Sequence, residues 1–136
     1  MSGAVITGGC LCGACRYALD GALAPGGLCH CADCRRVTGS AFGVSFRADK
    51  SALSRTGETR VFRKRADSGQ LLSRHFCPEC GSPLYTESEG DPDGVFIKAG
   101  SLDRPDALTL ERQMWMASKV PWADIPADIQ TFDKGR

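Results

Sequence analysis

An all-β fold organised around bound metal is what this sequence predicts, and three observations predict it. Short runs alternate apolar and polar residues with a period of two, while helical periodicity is almost absent. Glycine and proline, 16 and 7 of the 136 residues, recur between those runs as turn residues. The eight cysteines fall into C-x-C and C-x-x-C spacings, which suit a metal better than a disulfide framework. The chain length suits one domain, residues 1–136, with a modest core and no linker or repeat.

Taken in order, Met1 to Ile6 lacks a basic region followed by an apolar signal core, so a reducing, cytoplasmic setting is expected. Gly8 and Gly9 lead into Cys10-Leu11-Cys12-Gly13-Ala14-Cys15, where spacing alone allows either Cys10/Cys12 or Cys12/Cys15 as a ligand pair. Cys15, Tyr17 and Leu19 then alternate with Arg16, Ala18 and Asp20, as in a half-buried strand. That phase turns Cys15 toward the core as a small hydrophobe and leaves Cys10 and Cys12 as the better ligands. Residues 24–27, Ala-Pro-Gly-Gly, read as a turn. Arg35 to Gly39 reads as a short helical turn stopped by its glycine.

Phe42, Val44 and Phe46 mark a strand, and residues 54–58 a loop. Thr59 to Arg63 and Leu71 to Phe76 read as partner strands joined by a hairpin at 66–69. Strands over 84–87 and 95–99 flank an acidic turn at 91–94, and residues 100–105 form a loop. Leu108 and Leu110 mark a further short strand. The tail, with Trp115, Pro121, Trp122, Pro126 and Phe132, is expected to wrap the core.

The chemistry concentrates in residues 29–34, Cys-His-Cys-Ala-Asp-Cys. Thiolates at i, i+2 and i+5 can converge on one soft cation. Zinc takes four ligands in a closed structural site, and a site with three protein ligands keeps a position for substrate. Residues 77–81, Cys-Pro-Glu-Cys-Gly, form a second half-site, in which proline stiffens the turn and glycine relaxes it. Two cysteines cannot close a zinc site, so Cys10 and Cys12 are expected to complete it. That partition predicts two zinc ions, one held by Cys10, Cys12, Cys77 and Cys80, the other by Cys29, Cys31 and Cys34.

These motifs, with Gly9 to Gly13, Cys34-Arg35-Arg36, residues 38–42 (Thr-Gly-Ser-Ala-Phe), Phe76-Cys77, Cys80-Gly81 and residues 100–103 (Gly-Ser-Leu-Asp), resemble the glutathione-dependent formaldehyde-activating enzyme family, which includes centromere protein V. The resemblance implies the Mss4-like, or β-tent, fold of small antiparallel sheets around zinc. It implies that Cys10, Cys12, Cys77 and Cys80 hold a structural zinc, and that Cys29, Cys31 and Cys34 hold a catalytic one. It further implies carbon–sulfur lyase chemistry: reversible addition of a small thiol, typically glutathione, to formaldehyde or a related aldehyde, giving S-hydroxymethyl-glutathione. Where Cys15 stands, the family more often has a plain apolar residue.

Other residues have simpler expected fates. His30, between two ligands, should point away from the metal they grip, and His75 should be packed or solvated. Arg35 and Arg36 are candidates for a substrate carboxylate, weighed against a solvated basic turn. Arg63-Lys64-Arg65 should be an exposed strand end, and Trp115 and Trp122 should be buried. With 17 basic and 16 acidic side chains, a net charge of +1 offers no field for nucleic acid. No apolar run approaches a membrane span. Monomer or homodimer is expected. A non-catalytic two-zinc module that binds a protein or small thiol is the alternative. A zinc nucleobase deaminase is excluded, since no H-x-E or C-x-E precedes a P-C-x-x-C.

Overall fold

Cysteines stand at strand ends, where turns can gather them, in the computed structural model, which describes residues 5–124 and 128–135. In chain order the elements are β1 (Val5–Gly9), β2 (Arg16–Asp20), β3 (Gly26–Cys29), α1 (Ala32–Thr38), β4 (Gly43–Asp49) and β5 (Leu53–Thr56). There follow β6 (Arg60–Arg65), β7 (Leu71–Phe76), β8 (Pro83–Ser88), β9 (Asp91–Lys98), β10 (Leu110–Met114) and β11 (Gln130–Thr131). The all-β expectation holds, with one helix among the described residues.

Two sheets result. The smaller is antiparallel in the order β1-β2-β5, and the larger runs β11-β10-β3-β4-β9-β8-β7-β6. Among the described residues only the β10 pairings, to β3 and to β11, are parallel. Tyr17 and Leu19 of β2 pack with Phe46, Leu84, Tyr85, Val95, Ile97 and Leu102 in the main core. Cys15, 3% exposed, joins them as its alternating phase requires. The two tyrosine hydroxyls of the core are satisfied: Tyr17 shares a 2.6 Å hydrogen bond with Ser101, and Arg55 donates to the Tyr85 hydroxyl at 2.8 Å.

One close approach ties β1 to the rest. Gly8 bridges to Leu102, and a Cβ there would stand 2.5 Å from the Ser101 carbonyl oxygen and overlap Tyr17. Only glycine fits. At the far edge of the larger sheet, β6 carries Arg60, Arg63, Lys64 and Arg65, all exposed, which blunts an open strand edge against pairing with another chain.

Several sequence expectations need correction. Gly26 and Gly27 are not a turn but the start of β3, closed over by Leu108 and Arg112, whose side chains occupy the space that Cβ atoms would need. Leu53–Thr56 is a strand and not a loop, because β2 offers it a free edge. The acidic stretch 91–94 lies inside β9, drawn into the sheet where Arg47 of β4 donates to both Asp91 carboxylate oxygens at 2.6 and 3.1 Å. β1 had no counterpart in the sequence reading, and Leu108 closes a short 3-10 turn before β10 begins. The tail does return to the fold, with β11 on β10 and Trp115 and Met116 bonded to Lys134 and Phe132. Trp122, however, is 72% exposed, and Pro126 lies outside the described residues.

Candidate metal centres

The first centre is assembled from two turns 65 positions apart. After β1 the chain folds back through Cys10 to Cys15: Cys10 accepts the Gly13 N–H on its carbonyl and the Cys15 N–H on its sulfur, at 3.2 Å for the latter. After β7, the Gly81 N–H closes onto the Cys77 carbonyl at 2.8 Å, with Gly81 at φ 78° in the left-handed region that glycine tolerates. The Leu11 N–H donates to Ser82 Oγ at 3.0 Å and stitches the two turns together.

The four sulfurs of Cys10, Cys12, Cys77 and Cys80 then lie within 4.8 Å of one another. Ligands about 2.3 Å from a tetrahedral zinc have sulfur–sulfur edges of about 3.8 Å. The Cys10–Cys12 and Cys12–Cys77 separations are 3.7 and 3.8 Å. This donor set fits such an ion in both chemistry and size. Cys80 is prepared for it, since the Ser82 hydroxyl at 3.2 Å holds its thiol down at about 5. Cys15 stands apart: its thiol faces the Glu58 carbonyl at 3.6 Å, and burial pushes it up to about 11.

The second centre sits where β3 ends and α1 begins. Cys29 closes β3, and Cys31 is the N-cap of α1, its sulfur accepting the Cys34 N–H at 3.3 Å. Cys34 lies one turn in, and Gly39, at φ 68°, ends the helix. Helical geometry therefore turns Cys31 and Cys34 to the same side, and the three sulfurs lie within 4.8 Å of one another. Hydrogen bonds from Cys29 and Cys34 hold the Cys31 thiol far down, at about 2, while Cys29 is driven upward. Three thiols so close cannot all ionise without a cation among them. This set too can hold a soft metal ion. No fourth donor completes it among the described residues. A cavity of about 130 Å³ opens beside it instead, walled by Leu72, Ala66 and Trp115 and reached by Asp67 and Arg74.

The surrounding residues are equally defined. His30 is fully buried and faces away from the cluster: its Nε2 pairs with Gln113 Oε1 at 2.9 Å, and its ring meets Phe42 edge-on. It fastens the backbone between two candidate ligands to β10, as the His30 N–H to Met114 carbonyl bond also does. His75 pairs with Thr59 and Glu87 and is not a member of either cluster. Lys64, on exposed β6, reaches across to both carboxylate oxygens of Asp33 at 2.9 and 2.7 Å and pins the start of α1.

Arg36 is exposed and Arg35 half-buried, and neither lines the cavity beside the triplet. Arg74 does, and the sequence reading missed it. The signal was available: Arg74 alternates in phase with Leu72 and Phe76 on a strand that ends at a cysteine. A larger cavity, about 490 Å³, lies toward Cys10 and the Arg16–Asp103 ion pair, and an apolar groove of about 630 Å³ lies along β1. Neither contains the triplet.

Comparison with known proteins agrees with this architecture. A crystal structure of a Rhodobacter sphaeroides protein superposes with a TM-score of 0.58 at 20% identity, covering 71% of this chain and 87% of that one. The fold is shared. A Halomonas elongata protein that bears a glutathione-dependent formaldehyde-activating name is 28% identical over 134 residues, covering 93% of this chain and 84% of its own length. The family model described as glutathione-dependent formaldehyde-activating enzyme matches residues 5–118, and the chain belongs to that family.

Proposed function

We propose that the protein binds two zinc ions and promotes the reversible addition of a small thiol, glutathione in the first instance, to formaldehyde or a related aldehyde. The observation that carries this reading is the cavity beside Cys29, Cys31 and Cys34, three converging sulfurs with no fourth protein donor among the described residues. The four-cysteine set would be structural. When bound at the triplet, zinc would supply an open coordination position that favours the thiolate form of an incoming thiol at neutral pH.

The chain's own residues do the rest. Cys29 at the end of β3 and Cys31 and Cys34 on α1 hold the ligand sulfurs to one side, and Lys64 through Asp33 keeps α1 seated. Leu72 and Trp115 give the cavity in which the pair would meet an apolar wall. The thiol gives up its proton on binding, its sulfur bonds to the carbonyl carbon, the carbonyl π pair moves to oxygen, and a proton from solvent completes the hydroxyl. No redox change is needed. The thiols must stay reduced, which favours a cytoplasmic setting. No helix among the described residues is long and apolar enough to cross a membrane.

Addition also occurs without a catalyst, so the test must be kinetic. Exchange between free formaldehyde and its glutathione adduct is measured by magnetisation-transfer NMR with and without catalytic amounts of zinc-loaded protein. The parent should accelerate exchange and Cys31→Ser should not. Glutathione binding without acceleration would favour the non-catalytic two-zinc module.

A further inference from the structure

Arg74 is mostly buried and opens onto a cavity. It lies on β7 at 8% exposure, yet its guanidinium makes no hydrogen bond or ion pair with any described residue. A guanidinium that no protein group pairs is met by whatever enters the cavity it lines, water or a ligand. Acidic groups around it are engaged or exposed: Asp33 is committed to Lys64, Glu87 to Lys50 and His75, and Asp67 stands on the exposed lip of the cavity.

Its position is specific. Arg74 lines the triplet's cavity together with Cys29, Cys31 and Cys34. It also lines an adjoining cavity of about 160 Å³ that contains Thr86 and Lys98. The strand register explains the grouping. Arg74 stands directly opposite Thr86, and Thr86 opposite Phe96, two residues before Lys98, so Arg74, Thr86 and Lys98 share one face of the sheet. Thr86 Oγ1 is itself buried with no hydrogen-bond partner. Arg74, the unpartnered Thr86 hydroxyl and Lys98 therefore line one hollow, and Arg74 joins it to the cavity of the candidate metal position.

We propose that Arg74, with Thr86 and Lys98, forms a carboxylate subsite that selects thiols bearing a carboxylate on the same molecule as the sulfur placed at the triplet. This deepens the functional reading above and rests on its placement of a thiol there. Arginine suits the task, because its planar fork matches both oxygens of a carboxylate. The face is too confined for a phosphate-backbone or protein surface. A short mercapto acid fits it, and so does one end of glutathione.

The test uses the zinc-loaded protein and two thiols of equal length, 3-mercaptopropionate and its neutral amide, with affinities measured by titration calorimetry. The parent should bind the acid about tenfold or more tighter than the amide, the usual scale for a charge-assisted contact. Arg74→Gln should abolish that preference while leaving the amide's affinity and the zinc content unchanged, and Arg74→Lys should keep part of it. Thr86→Val, which preserves shape, should reduce the acid's affinity alone, and it serves if Arg74→Gln does not fold.

Equal affinity of the parent for both thiols, or binding of neither, overturns the proposal. So does an Arg74→Gln that weakens both thiols alike or sheds the second zinc, for Arg74 would then only balance the charge of the cysteine sulfurs. The two readings fail separately. An Arg74-dependent acid preference without accelerated formaldehyde exchange sinks the enzyme and spares the subsite. Accelerated exchange with no acid preference does the reverse.

Discussion

Replacing Cys77 and replacing Cys31 should have unequal consequences, and the structure says by how much. Cys12 and Cys77 sulfurs meet 3.8 Å apart across 65 positions of sequence. Treated as a cross-link, closure of a loop that long removes about 4 kcal/mol of unfolded-chain entropy, while the six-residue loop of the triplet removes about 2 kcal/mol. A domain of this kind has only about 5–15 kcal/mol in total. Cys77 is also fully buried in the main core, whereas Cys31 is half-buried on a surface helix with no buried residue. Serine is moreover a good N-cap, so Cys31→Ser should preserve the start of α1 and remove only the metal ligand.

Metal-replete, reduced parent protein should carry two zinc ions per chain. Cys31→Ser should carry one, with a circular dichroism spectrum and urea midpoint close to the parent. Cys77→Ser should be insoluble or lose about 4 kcal/mol or more, since metal binding at a long-range site is folding free energy. Equal collapse of the two variants would refute the reasoning and make the triplet a structural tie. A parent holding one zinc would show that the triplet is not an independent site.

The remaining predictions concern packing around the first centre. Cys15→Ala and Cys15→Val should keep both zinc ions and cost about 1 kcal/mol in urea unfolding, because the Cys15 contribution to Cys10 is a backbone N–H that any side chain leaves intact. Loss of a zinc from either variant would place Cys15 among the ligands. Gly8→Ala should destabilise by about 2 kcal/mol or more, since its methyl would overlap Tyr17 and the Ser101 carbonyl. An unchanged midpoint would mean that β1 can draw back from Leu102 at no cost.

The amino-acid sequence by itself determined the local groupings, Cys29 with Cys31 and Cys34, and Cys77 with Cys80, while the meeting of Cys77 and Cys80 with Cys10 and Cys12 is made by the fold. C-x-C and C-x-x-C spacings are local, and tight turns bring such neighbours to one side whatever the rest of the chain does. It also determined the inward phase of Cys15, Tyr17 and Leu19 and the hairpin of β6 and β7, because alternation and turn residues act within a few positions. What only the tertiary structure decided is what distant strands do to one another. Leu53–Thr56 becomes a strand because β2 has a free edge, Gly26 and Gly27 because Leu108 and Arg112 cover them, and Asp91 because Arg47 reaches it. Arg74 is the sharpest case. Its phase along β7 was legible, but the opposition of Thr86, the approach of Lys98 and the nearness of the triplet come from sheet register and from α1 lying over it. Those are contacts between residues tens of positions apart, and no local pattern encodes them.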